Sequence, residues 1–134
     1  MSVAWSFEEA RQACRAASSA QAQAENAMRA AARDAAVKDE QYRVALAKEI
    51  VRQHADEGVS WSTAPDLARG NELVARLRRD RDIAEGVREA LVQAAWRAAA
   101  DRKDAQRFSD WSMRQQLADG SIGDDKRLAW SGAA

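Results

Sequence analysis

The single imidazole of the chain, His54, lies close to Glu49, Asp56 and Glu57, the company that a general base or a zinc ligand keeps. The chemistry goes no further. A hydrolytic or zinc site needs more His or Cys ligands, or a nucleophile at a fixed spacing. The sequence has no HExxH pattern and no second cysteine beside Cys14. His54 is therefore expected to be a solvated residue near a helix end, favoured by the negative end of the helix dipole. One cysteine excludes an internal disulfide and a Cys-only metal centre. No glycine-rich loop is spaced to cradle a phosphate. No catalytic residue, metal ligand or cofactor is assigned, and a non-enzymatic protein is expected.

The remaining chemistry is that of binding. Arg69, Arg76, Arg78, Arg79, Arg81 and Arg88 form a cluster that could follow a phosphate backbone, although Glu72, Asp80, Asp82 and Glu85 are interleaved with it. Single-stranded DNA is the nucleic-acid candidate. The other reading is a solvated helix face of internal ion pairs. Trp96, flanked at helical spacing by Val92, Ala95, Ala99 and Ala100, makes an outer apolar strip. A pair of helices could not bury it, so the strip is a candidate surface for self-association into a four-helix bundle or for another protein.

Two long segments must carry these residues. From Ser6 to Glu57 there is neither Gly nor Pro, and the dominant residues are those with the lowest cost of entering a helix. Ser6 is its expected cap, Glu8 and Glu9 favour its first turn, and Gly58 suits a left-handed stop. Its inner stripe reads Ala13, Ala17, Ala20, Ala24, Met28, Ala31, Ala35, Tyr42, Ala45 or Leu46, and Ile50. The second segment, about 71–117, is broken only by Gly86. Its heptad seam has one row of Leu77, Ala84, Leu91, Ala98 and Ala105, and a second of Leu73, Asp80, Val87, Ala94, Asp101 and Phe108. Asp80 and Asp101 would then be seam carboxylates that fix register, Asp80 near Arg43 and Lys48.

Between these segments, residues 58–70 hold most of the turn chemistry. Thr63 can cap a short helical turn, Pro65 fits its first turn, Asp66 lies three residues after Thr63, and Gly70 stops it. Asn71 caps the next helix, and Trp61 and Leu67 are the expected pair to close the tip. The expected fold is all-α: a long, Ala-rich, coiled-coil-like antiparallel hairpin over residues 1–117, with helices at about 6–57 and 71–117. It would associate into a bundle. Residues 118–134, with three Gly and the adjacent Asp124 and Asp125, read as a flexible tail. Trp5, Leu128 and Trp130 could add terminal contacts.

Composition bounds the alternatives. About a quarter of the residues are Ala, so the 46% hydrophobic content overstates the large side chains available and the core must be thin. The 21 Lys plus Arg balance 21 Asp plus Glu, which disfavours a generally basic nucleic-acid tail or membrane-surface protein. No run approaches the ~20 apolar residues of a bilayer span, and the first residues lack a secretory pattern. A cytoplasmic protein is expected.

Three stretches, Tyr42-Arg43-Val44-Ala45-Leu46-Ala47-Lys48, Thr63-Ala64-Pro65-Asp66-Leu67-Ala68-Arg69-Gly70 and Arg81-Asp82-Ile83-Ala84, carry a resemblance. They are similar to small helical proteins of phages and prophages of Gram-positive bacteria, which tend to be encoded among genes for recombination and single-strand DNA handling. The resemblance covers about Tyr42 to Trp111 and is most specific in the Ala-Pro-Asp-Leu-Ala-Arg-Gly connection. It implies an accessory role in a phage setting, by binding a protein of phage DNA metabolism or single-stranded DNA, and it transfers no active site. The alternatives are an inhibitor of a host defence protein, of anti-CRISPR type, and a structural or assembly protein.

Overall fold

The computed structural model describes residues 6–120. Its regular elements are three helices: α1, Phe7–Glu57; α2, Ala64–Arg69; and α3, Glu72–Ala118. Trp5, Leu128, Trp130 and the expected tail from residue 121 onward lie outside the described residues. Among the described residues, no helix is long and apolar enough to cross a membrane.

Each helix end has an identifiable cause. The Glu9 N–H donates to Ser6 Oγ at 3.1 Å, while the Ser6 N–H donates to Glu9 Oε2 at 3.0 Å. This reciprocal capping box satisfies two backbone donors that an α-helix start leaves open. At the other end of α1, Gly58 adopts φ 67°, and the Val59 N–H donates to the Gln53 carbonyl at 3.2 Å. A Cβ on Gly58 would meet nothing within 4 Å, so backbone conformation, not space, selects glycine there.

The start of α2 departs from expectation. Thr63 occupies the cap position, but its side chain caps nothing, because its φ of −96° and ψ of −27° are already helical and side-chain capping uses an extended backbone. Instead the Ser60 carbonyl accepts from Thr63 N at 3.1 Å and Ala64 N at 2.9 Å. Gly70 ends the helix with φ −79°, without the left-handed turn used at Gly58. Asn71 then caps α3 as expected, its Oδ1 accepting from Leu73 N at 2.9 Å and Val74 N at 3.2 Å.

Two compact units are described separately, residues 25–94 and the described parts of Met1–Ala24 with Ala95–Ala134. In residues 25–94 the buried side chains are Ala35, Tyr42, Ala64, Ala68, Val74 and Ala84. The Arg81 guanidinium lies over the Tyr42 ring, 4.4 Å from its centroid, and Glu49 and Asn71 line one groove. Tyr42 precedes Glu49 whereas Arg81 follows Asn71, so α1 and α3 run in opposite directions in this unit. In the other unit Ala10, Ala95, Ser109 and Ser112 are buried. The Cys14 thiol donates to Gln106 Oε1 at 3.1 Å, and Arg102 Nη1 donates to Gln21 Oε1 at 3.2 Å. The chain directions are again opposed. Both cores are thin, being built mostly from Ala and Ser.

The seam of α3 is half as expected. Leu77, Ala84, Leu91, Ala98 and Ala105 are all buried or half-buried. The second row is split between the expected positions, where Asp80 and Ala94 are half-buried, and those one residue later, where Arg102 is exposed. Val74, Ala95 and Ser109 are buried, and Arg81 and Arg88 are half-buried, whereas Leu73 and Val87 are each 49% exposed and Phe108 is 37% exposed. Asp101 is exposed and so lies outside the seam, whereas Asp80 is half-buried; among the described residues neither takes part in an ion pair, Arg43 being paired with Asp39 instead. The physical cause is visible at Tyr42: its ring accepts a guanidinium, and the aliphatic stem of an arginine fills space that small side chains leave. On α1 the expected stripe holds except at Ala20, which is exposed while Gln21 takes the inner place.

Candidate interaction surface

The connection between α1 and α3 is held by polar contacts. His54 Nδ1 donates to the Val59 carbonyl at 2.8 Å, and its ring stacks on Trp61 with centroids 3.8 Å apart and planes inclined by 19°. The expected solvated histidine is thus a half-buried clip on the turn after α1. Trp61 and Leu67, the expected pair at the tip, are 57% and 47% exposed; Trp61 stacks on His54, and Ala64 and Ala68 are the buried residues of α2. Pro65 is half-buried and Gly70 exposed, and Asp66 pairs with Arg69 at 3.2 Å.

The six arginines divide. Arg69 pairs with Asp66, Arg81 with Asp82 at 2.9 Å, and Arg88 with Glu85 at 3.4 Å. The Asp82 hydrogen bond, opposed by burial, raises the Arg81 pKa above its ordinary value. Arg88 Nε is buried without a hydrogen-bond partner. Arg81 and Arg88 therefore belong to the seam more than to an outer face. Arg76, Arg78 and Arg79 are exposed and take part in no ion pair among the described residues, and Arg76 and Arg79 line one hollow with Glu72, Leu73 and Ala75. Of the six arginines expected to form a phosphate or partner face, these three are the ones left both exposed and outside those ion pairs.

On the outer strip, Trp96 is 65% exposed. Ala100 is exposed, Val92 and Ala99 are half-buried, and Ala95 belongs to the core. The strip is therefore narrower than its sequence pattern, with Trp96 as its one large exposed side chain. Trp111 is 53% exposed and its ring centroid is 5.8 Å from that of Phe108.

A groove of about 770 Å³ in residues 25–94 was not foreseen. Val44, Ala45, Leu73, Val74 and Leu77 form its apolar surface, and Lys48, Glu49 and Arg52 are among its polar residues. The Glu49 side chain, only 11% exposed, accepts from Arg52 Nη2 at 2.7 Å and Nε at 3.0 Å, and from Gln53 Nε2 at 3.1 Å. The Arg52 hydrogen bonds outweigh burial and hold the Glu49 carboxyl below its ordinary range. The same hydrogen bonds to Glu49, reinforced by its charge, raise the Arg52 pKa. The missed signal is on α1: Val37, Val44 and Val51 recur every seven residues and are 49%, 46% and 55% exposed.

Among the described residues, no group of three or more His, Cys, Asp and Glu side chains is placed to hold a metal ion. No protein-family model, curated protein or solved structure matches the chain.

Proposed function

We propose that this chain is a non-enzymatic phage or prophage accessory protein that acts by binding, in DNA recombination or replication, in the cytoplasm of a bacterial host. Its working body is an antiparallel hairpin of α1 and α3 that self-associates. The opposed chain directions within each unit support the hairpin. The observation that carries the binding reading is an inversion of side-chain size. Ala and Ser fill most of the buried positions, while Trp61, Trp96 and Trp111 are each more than half exposed, and large exposed apolar side chains concentrate at sites of contact. Arg76, Arg78 and Arg79, which take part in no ion pair among the described residues, are the residues suited to phosphate.

The test is native mass by light scattering after gel filtration, alone and with short single-stranded or duplex DNA at low and high salt. A defined protein–DNA mass that disappears with salt is expected, and so is its loss in Arg76→Glu plus Arg79→Glu with helicity retained. A mass unchanged by DNA at low salt removes direct DNA binding and leaves a protein partner. The exposure of Trp96 favours a second reading, a structural or assembly protein. In that case Trp96→Glu would dissociate the oligomer and leave DNA irrelevant.

A further inference from the structure

The valines of α1 are part of a second heptad row. Asp34, Val37, Gln41, Val44, Lys48 and Val51 succeed one another at alternating three- and four-residue steps, and all are exposed. Ala27 and Ala30 extend the row toward the N-terminus and Ala55 toward the C-terminus, again exposed. At ~1.5 Å per residue, the row is about 40 Å long. An α-helix that presents one heptad row to its own α3 and another to solvent has a place for a further helix.

The order of residues identifies that helix. Asp34 lies seven positions before Gln41 and Lys48 lies seven after it. Val37 and Val44 flank Gln41 on either side, and Ala30 and Val51 lie beyond the charges. Reversing the row about Gln41 therefore sets Asp34 against Lys48 and, to within one residue position, Val37 against Val44 and Ala30 against Val51. Asp34 and Lys48 take part in no ion pair among the described residues. The row is complementary to itself when antiparallel. When parallel it would oppose Asp34 to Asp34 and Lys48 to Lys48.

We propose that this row is a homodimer interface, in which α1 packs antiparallel on α1 of a second copy about a two-fold axis through Gln41. Such an axis makes the contact isologous, so each ion pair and each valine pair occurs twice. Val37 of the second copy meets Val44 at the groove that Val44 shares with Leu73 and Leu77. Gln41 meets Gln41 of the second copy on the axis, and a lone polar residue in an apolar row fixes register. The interface uses α1 alone, so it depends neither on DNA binding nor on the outer Trp96 strip.

Charge reversal tests it, read by sedimentation equilibrium with circular dichroism to follow helicity. The unmodified protein is expected to be a dimer. Asp34→Lys and Lys48→Asp each place two like-charge pairs in the interface, and each is expected to weaken the dimer by roughly tenfold or more. The double variant restores the dimer. Mixing the two single variants gives a heterodimer in preference to either homodimer, which a folding defect cannot imitate. A monomeric unmodified protein, or a dimer indifferent to both single reversals, overturns the proposal. If that indifferent dimer is dissociated by Trp96→Glu, the contact lies on α3 instead.

Discussion

At the scale of single residues, the chain places its ionisable groups by local pairing. Glu49 shows this most clearly, since Arg52 and Gln53 both hydrogen-bond its carboxylate. Its pKa is lower in the folded chain than in the unfolded one. The stability it contributes is therefore present above the ordinary carboxylate range and is lost as pH falls through the folded value. Glu49→Gln is expected to flatten the acid limb of a stability–pH profile measured by urea unfolding, below about pH 4.5, while leaving the neutral-to-basic limb parallel to that of the unmodified protein. An unchanged acid limb would assign no linkage to this cluster. The carboxylate is in the sequence, but its surroundings are not all evident there. Arg52 and Gln53 follow from helical spacing, whereas Asn71, which lines the same groove, comes from beyond the connection. The same limit hid the role of His54. Its position near a helix end was legible, but the stack on Trp61 depends on how the turn folds back.

At the scale of elements, the two glycines of the connection make opposite demands on the backbone. Gly58, at φ 67°, needs the left-handed region, and Gly58→Ala should cost roughly 1–2 kcal/mol. Gly70, at φ −79°, sits in ordinary space. A Cβ there would meet the Leu67 carbonyl oxygen at 3.4 Å, an ordinary contact, and Gly70→Ala should be neutral or stabilise by up to about 1 kcal/mol. Thermal unfolding of the two variants reads the difference in sign. Helix existence, the caps at Ser6 and Asn71, and one row of the α3 seam were legible because they follow from propensity, capping chemistry and a seven-residue period. The second row was not. Leu73 and Val74 both make a heptad with Leu77, by a four- or a three-residue step, and periodicity alone does not choose between them. Apolar size favoured Leu73, Val87 and Phe108. The fold chose Val74, Arg81 and Ser109, because Tyr42 accepts the Arg81 guanidinium and the remaining space suits small side chains.

At the scale of the whole molecule, large apolar side chains belong more to the surface than to the interior. A reading that equates size with burial therefore misplaces candidate sites along with the core. The strip around Trp96 was legible because it lies opposite a recognisable seam. The valine row of α1 has its seven-residue period in the sequence, but that it faces solvent shows only once exposure is known. The arginine cluster was legible as a cluster, but its division into seam and surface members required the partners. Mutational scanning of the proposed roles should accordingly avoid Arg81 and Arg88, whose loss would disturb packing as well as charge.

The order of contacts along α1 and α3 has a kinetic consequence. Cys14 and Gln106 are 92 residues apart and Gln21 and Arg102 are 81 apart, whereas Tyr42 and Arg81 are separated by about half as much chain. Closing a shorter loop costs less entropy, and the contacts around Tyr42 also enclose the capped turn that reverses the chain. Folding should therefore begin beside the connection and zip outward. In stopped-flow refolding, Tyr42→Leu is expected to slow folding, with a φ-value above about 0.5. Ala10→Gly, far along the zipper, should chiefly accelerate unfolding. Equal φ-values at the two sites would contradict that order. If the order holds, the terminal parts of α1 and α3 are the last to lock and the first to fray.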